Sequence, residues 1–290
     1  MANVHKGINL TVWVSVVGIL LAGCSTGQEQ ADPSLNQNTE STQESPPSES
    51  EIPAAIENES EIPAAIENFG FELDSFDPAT GFAGDLQISG VTPPVAPEND
   101  PNRESLDISY KYLMSRYGED LMGRRDPQMA FFLPLGSKVR SMISGTVCDV
   151  TTLYSNDLSI RIAPPGVSCF PEGQGGANVL FEHEHVIGAT VKYGDFVNAG
   201  QVIAEVSDYR SDWKAQGFGI VEIGVFFSKK DSPDPWHGCP MKFISPDKKQ
   251  ELLGDLNSAY VAWESELGDS TLYDELAEFP GCVTTEDISG

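Results

Sequence analysis

Val191-Lys-Tyr-Gly-Asp-Phe-Val-Asn-Ala-Gly-Gln-Val-Ile-Ala-Glu-Val206 is the stretch from which the fold is read. Its apolar positions alternate, Val191 with Tyr193 and then Val202 with Ala204 and Val206, while Gly194-Asp195 and Ala199-Gly200 interrupt them. Each run therefore reads as a half-buried strand entered through a glycine turn. A shorter copy lies upstream, where Val139-Arg-Ser-Met-Ile143 meets Ser144-Gly145 and resumes as Thr146-Val-Cys-Asp-Val150. Between residues 130 and 228 the strand pattern recurs at 139–143, 146–151, 158–163, 178–185, 201–206 and 220–227, separated by Gly and Pro turns with no long helical period. The expectation is a mainly β domain at 126–230: a small antiparallel sheet or barrel with flanking helices.

The flanks carry a different period. Leu106, Tyr110, Leu113, Tyr117 and Leu121 lie three or four residues apart and predict an amphipathic helix within 103–125. Leu252, Leu256, Tyr260 and Trp263 do the same for 248–267, and a further helical turn is expected at 273–279, so that 231–290 forms an acidic helical cover. Residues 24–102 are rich in Ser, Glu, Gln and Pro, hold no Lys or Arg, and are expected to be a disordered acidic linker. Within them the ten residues 49–58 recur as 59–68, too few copies for a repeat fold. Phe71, Phe76 and Phe82 are read either as a partner-binding segment or as a strap on the domain; composition does not choose.

The whole chain of 290 residues carries 44 acidic against 17 basic side chains, a net charge of −27 that repels phosphate backbones and excludes a nucleic-acid partner. Residues 1–23 read as a signal peptide, with Lys6 before an apolar run that closes in Leu21-Ala22-Gly23-Cys24. That tetrad resembles a bacterial lipobox, which makes Cys24 the lipidation site and the membrane a partner through the anchor. The expected location is the cell envelope. Ser25 favours the periplasmic face of an outer membrane where the cell has one; otherwise the anchor lies on the outer face of the cytoplasmic membrane. Cys148, Cys169, Cys239 and Cys282 remain, an even number in an oxidising compartment. Three pairings are open, and proximity favours Cys148 with Cys169 and Cys239 with Cys282.

Together the two glycine corners resemble the duplicated hybrid motif of biotinyl and lipoyl carriers, periplasmic adaptor proteins and the LytM/lysostaphin zinc endopeptidases. The last family matches over the longest stretch. Leu133-Pro-Leu-Gly-Ser-Lys-Val139, Ser144-Gly-Thr-Val147, His183-Glu-His-Val186 and the quoted corner follow its order of motifs, and 221–227 would be its closing strand. The resemblance implies a zinc held by a His, an Asp and a second His, with two further histidines orienting water and substrate. Those ligand positions fall here on Asp126, Ala130 and Gly224, and the orienting positions on His185 and Glu222. Only His185 keeps its residue type. The chain therefore resembles a degenerate member, a pseudo-metallopeptidase with no confident catalytic residue and with His185 and Glu222 as vestiges.

The remaining cluster is Glu182-His183-Glu184-His185. On a regular strand, alternation puts both histidines on one face and both glutamates on the other. The candidate binding groove is accordingly His183, His185, Glu222 and Asp126. No cofactor is expected; zinc would enter only at a re-ligated site built on His183 and His185. Degenerate members of the family bind cell wall or activate amidases, so peptidoglycan or a wall amidase is the implied partner. An adaptor-like envelope protein is the alternative. Tyr209, Trp213, Phe218 and Trp236 are candidates for stacking on sugar rings.

Overall fold

A computed structural model describes residues 61–289 except 122, 175, 231 and 233; the signal segment, Cys24 and the first copy of the repeat lie outside the described residues. The elements in chain order are β1 (Phe82–Ala83), β2 (Leu86–Gln87), α1 (Arg103–Ser109), β3 (Met114–Ser115), β4 (Asp120–Leu121), β5 (Arg124–Arg125), β6 (Met129–Pro134) and β7 (Lys138–Arg140). They continue as β8 (Gly145–Thr152), β9 (Leu158–Ala163), β10 (Val179–Ile187), β11 (Phe196–Val197), β12 (Val202–Val206), α2 (Ser211–Lys214) and β13 (Phe218–Ser228). Last come β14 (Pro235–Gly238), a 3-10 turn (Pro240–Phe243), α3 (Lys249–Leu267) and β15 (Ile288–Ser289). The fold is mainly β and antiparallel.

One sheet organises it, in the order β11-β8-β9-β10-β13-β14-β15. β10 and β13 are its spine, paired from Val179↔Phe227 to Glu184↔Glu222. On its far side β13 pairs first with β6 and then with β14. Because opposed residues of an antiparallel pair share a face, Phe181, His183, Val221, Ile223 and Val225 point into the main core, while Glu182, Glu184, Glu222 and Gly224 point to the other face. Gly145 starts β8 where a Cβ would collide with the carbonyl of Ala163, which is why the upstream corner needs glycine.

Five of the six anticipated strands match closely, and the region 139–143 keeps only its first half as β7. In the quoted stretch, β12 is the second run, whereas Val191 and Tyr193 lie in a loop and the first strand is the short β11, paired with Thr146 and Gly145. Both disulfides form as proximity favoured, Cys148–Cys169 and Cys239–Cys282, with Cα separations of 5.2 and 6.0 Å. In α3 all four stripe residues are buried, Trp263 Nε1 donates to the Lys111 carbonyl at 2.8 Å, and left-handed Gly268 ends the helix.

Three expectations fail on the flanks. Residues 61–102 are not a disordered linker. Ile62, Ile66, Phe69, Phe71, Leu86 and Ile88 are buried, and the second repeat copy is fixed by backbone bonds from Ile66 to Phe243 and from Glu67 to Met142. A composition averaged over eighty residues conceals these apolar side chains. The helix expected within 103–125 ends at Ser109 with no buried residue. Leu113, Met114 and Tyr117 are buried through β3 and the loop after it, and Gly118 and Gly123, both at positive φ, turn the chain back into β4 and β5. Residues 273–279 form no helix: Tyr273 stacks on Tyr260 at 3.8 Å and its OH donates to Met114 O at 3.0 Å, which sets it by tertiary contact. The cover 231–290 thus also carries β14 and β15.

Candidate functional site

The site is made by one irregularity in β10. Through Glu184 the strand pairs with β13; from Val186 it pairs with β12, and its register against β9 shifts between His183 and Val186. His185 lies at this bulge with φ 55°, a left-handed conformation uncommon for a side-chain-bearing residue. The strand's alternation breaks there. His183 stays on the core face, fully buried, with Nε2 accepting from the Met142 amide at 3.1 Å and Gly70 packed against its ring. His185 turns instead to the glutamate face. The anticipated His183–His185 pair does not exist, and His183 is removed from the groove.

In place of that pair, His185 joins Glu184 and Glu222, with one ligand atom of each within 4.8 Å of the others. Its Nε2 lies 3.6 Å from Glu222 Oε2, and its Nδ1 lies 2.9 Å from Asp157 Oδ2. The ring stacks on Tyr209 at 4.0 Å with Tyr154 edge-on. Asp157 immediately precedes β9 and is itself held by Ser155 Oγ. Neither Asp157 nor Tyr154 has a spacing signal tying it to His185 in the sequence, and regular alternation places Glu184 on the face opposite His185.

Glu182 is the satisfied member of the cluster. Its Oε1 accepts from Ser159 Oγ at 2.8 Å and Arg161 Nε at 2.6 Å, and its Oε2 from Gln128 Nε2 at 3.1 Å. Burial, then the neighbouring Glu182 charge, pushes the Glu184 carboxyl up to about 8. Burial, then the charges of Asp126 and Glu184, raises Glu222 well above the usual range. Asp126 is pushed up to about 6 by burial, against the Gln128 amide that donates to it. Burial raises Asp157 too, but hydrogen bonds from Ser155, Ser207 and His185 outweigh it and hold it low. Burial lowers His185, opposed by Asp157. A cavity of about 470 Å³ adjoins the cluster, with Gln128, Arg161, Glu182, Glu184, Phe226 and His237 in its wall.

The zinc that the resemblance implies does not fit its positions. Ala130, opposite Glu222, and Gly224, opposite Glu182, have no donor atom. A Cβ on Gly224 would lie 3.1 Å from Gln128 Cγ and 3.7 Å from Glu182 Oε2, so the Gln128 side chain occupies the space above Gly224. Asp126 is the one ligand position with an oxygen. The proposed sugar-stacking aromatics also separate: Trp213 and Phe218 are buried, with Trp213 stacked on Phe132 at 4.3 Å, and Tyr209 lies under His185.

No family model and no curated relative matches the chain. Solved structures that resemble it include the catalytic domain of the antimicrobial peptidase lysostaphin from Staphylococcus simulans, 19% identical over 46% of this chain and 88% of that one, with a TM-score of 0.32. LytU is 18% identical over 49% and 88%, with a TM-score of 0.34. The catalytic domain of the prophage-encoded protein EnpA from Enterococcus faecalis is 21% identical over 43% and 85%, with a TM-score of 0.31. At that level of likeness none of these proteins assigns a role to a residue of this chain. No helix among the described residues is long and apolar enough to cross a membrane.

Proposed function

We propose that this is a lipid-anchored cell-envelope protein whose β domain is a degenerate LytM-type domain that binds peptidoglycan without cutting it. The observation that carries the reading is the pair Ala130 and Gly224, which supply no atom where the resemblance calls for zinc ligands, with Gln128 filling the space over Gly224. A Lewis-acid hydrolase needs about three protein ligands and an open position. Those positions hold one. The cavity of about 470 Å³ beside the cluster has the size of a pocket for a short peptide or a sugar. The anchor rests on Cys24, outside the described residues. The adaptor alternative calls for a long helical hairpin between the two corners, whereas β9, β10 and loops connect them among the described residues.

Cosedimentation with purified cell walls tests the binding. The protein is expected to pellet with the walls, and Asp234→Trp, which sets a large ring on the exposed rim of the cavity, should lower the pelleted fraction severalfold. Equal pelleting of that variant would place binding elsewhere, and no pelleting of the parent would remove the wall as ligand.

A further inference from the structure

We infer that Glu184, His185 and Glu222 form a divalent-cation site of one imidazole and two carboxylates, held in position by Asp157. It uses none of the three positions at which the resemblance places zinc, and it does not rest on the non-cleaving reading. Four observations lead to it.

The first is distance. Two ligands about 2.0–2.1 Å from a common ion, at a tetrahedral angle, are about 3.4 Å apart. His185 Nε2 and Glu222 Oε2 stand at 3.6 Å, and one ligand atom of each of the three residues lies within 4.8 Å of the others. The second is the orientation of the ring. A metal-binding imidazole commonly donates its other N–H to a carboxylate, which fixes the tautomer and aims the free lone pair. Here Asp157 Oδ2 lies 2.9 Å from Nδ1, both side chains are 3% exposed, and Nε2 is left facing Glu222.

The third is the backbone. Regular alternation would send His185 into the core with His183; the bulge with φ 55° is what brings it out. An uncommon backbone conformation of this kind concentrates at functional sites. The fourth is charge. Glu184 and Glu222 are directly opposed across β10 and β13, an arrangement that disfavours ionising both, and Arg161 Nη2 lies 3.9 Å from Glu184 Oε1. Among the described residues no hydrogen bond ends on the Glu222 carboxylate, and the side chain is 17% exposed. The carboxylate's contact is with His185 Nε2 at 3.6 Å, and a cation between the two would be shared by both.

One imidazole with two carboxylates suits a first-row divalent ion such as Mn2+ or Zn2+ better than Ca2+, which favours an all-oxygen shell. Of the three ligands, Glu184 also lines the adjoining cavity.

The test uses the purified full-length protein after chelator dialysis, titrated with Mn2+ and followed by loss of the free-ion EPR signal. Zn2+ serves as competitor. One ion per chain is expected, with affinity reduced at least tenfold in His185→Ala and in the isosteric Glu222→Gln. Asp157→Asn, a change at a positioning residue, should weaken binding with an unchanged far-UV spectrum. The exposed-acid control Asp274→Asn should bind like the parent. Absence of saturable binding overturns the site, as does stoichiometric binding that survives both His185→Ala and Glu222→Gln. Wall cleavage by the metal-loaded protein would overturn the non-cleaving reading and leave the site standing.

Discussion

Replacing Phe71 by Ala tests whether residues 61–91 belong to the domain. Phe71 is fully buried, and its ring meets Phe131 of β6 edge-on at 4.8 Å, with Phe69 on the same ring at 6.1 Å. A buried Phe removes about 150 Å² or more from water, which at about 25 cal/mol per Å² is worth about 4 kcal/mol. The cavity left behind keeps measured Phe→Ala costs at about 3–5 kcal/mol. The same change in a solvated tether costs under about 0.5 kcal/mol. Urea unfolding followed by tryptophan fluorescence separates the two, since a loss of about 4 kcal/mol lowers the midpoint by more than about 1 M at the slopes of single domains. A loss under about 1 kcal/mol would refute the packing of this segment. Gly70→Ala is the companion change: at φ 86°, with its added Cβ 3.4 Å from both His183 and Ile223, it should cost about 1–2 kcal/mol.

Opening the Cys148–Cys169 and Cys239–Cys282 loops, of 21 and 43 residues, should cost about 3 and about 4 kcal/mol in the chain-entropy model, read by unfolding of the paired Ala variants. Cys24→Ala should leave the protein unlipidated and in the soluble fraction; retention in membranes would contradict the anchor. His183, pushed down to about 4 by burial, stays neutral in the folded state while the unfolded chain binds a proton near 6.5. Its contribution is therefore complete above pH 6.5 and is lost as pH falls toward 4, an effect on the order of 3 kcal/mol. NMR titration should find its ring signals unmoved from pH 8 to 5, and a midpoint near 6.5 would contradict its burial.

The strand pattern was legible because glycine corners and period-2 alternation are local, and β8, β9, β12 and β13 follow them within about two residues. The disulfides were legible from spacing, and α3 from its stripe. The strap was legible only as one of two alternatives for Phe71, Phe76 and Phe82, because Ile66, Phe69 and Phe71 sit in a segment whose average composition is that of a solvated chain. Residues 103–125 show a helical period that tertiary packing overrides: Leu113, Met114 and Tyr117 find the core through strand pairing and loop, with Gly118 and Gly123 supplying the turns. At the site, His185 and Glu222 were found from motif positions and do meet. Their partner does not follow from the sequence, because alternation along β10 holds only as far as Glu184. A single residue at φ 55° exchanges His183 for Glu184, and no sequence period encodes that.

The proposed groove would hold cell wall without hydrolysing it. The most direct measurement is the count of new free amino groups released from purified walls by the full-length protein, with and without added Zn2+ or Mn2+. Protein is expected to pellet with the walls while amino-group release stays at the buffer level with either ion. Release that grows with protein concentration and disappears in Glu222→Gln would contradict it and make the protein a peptidase.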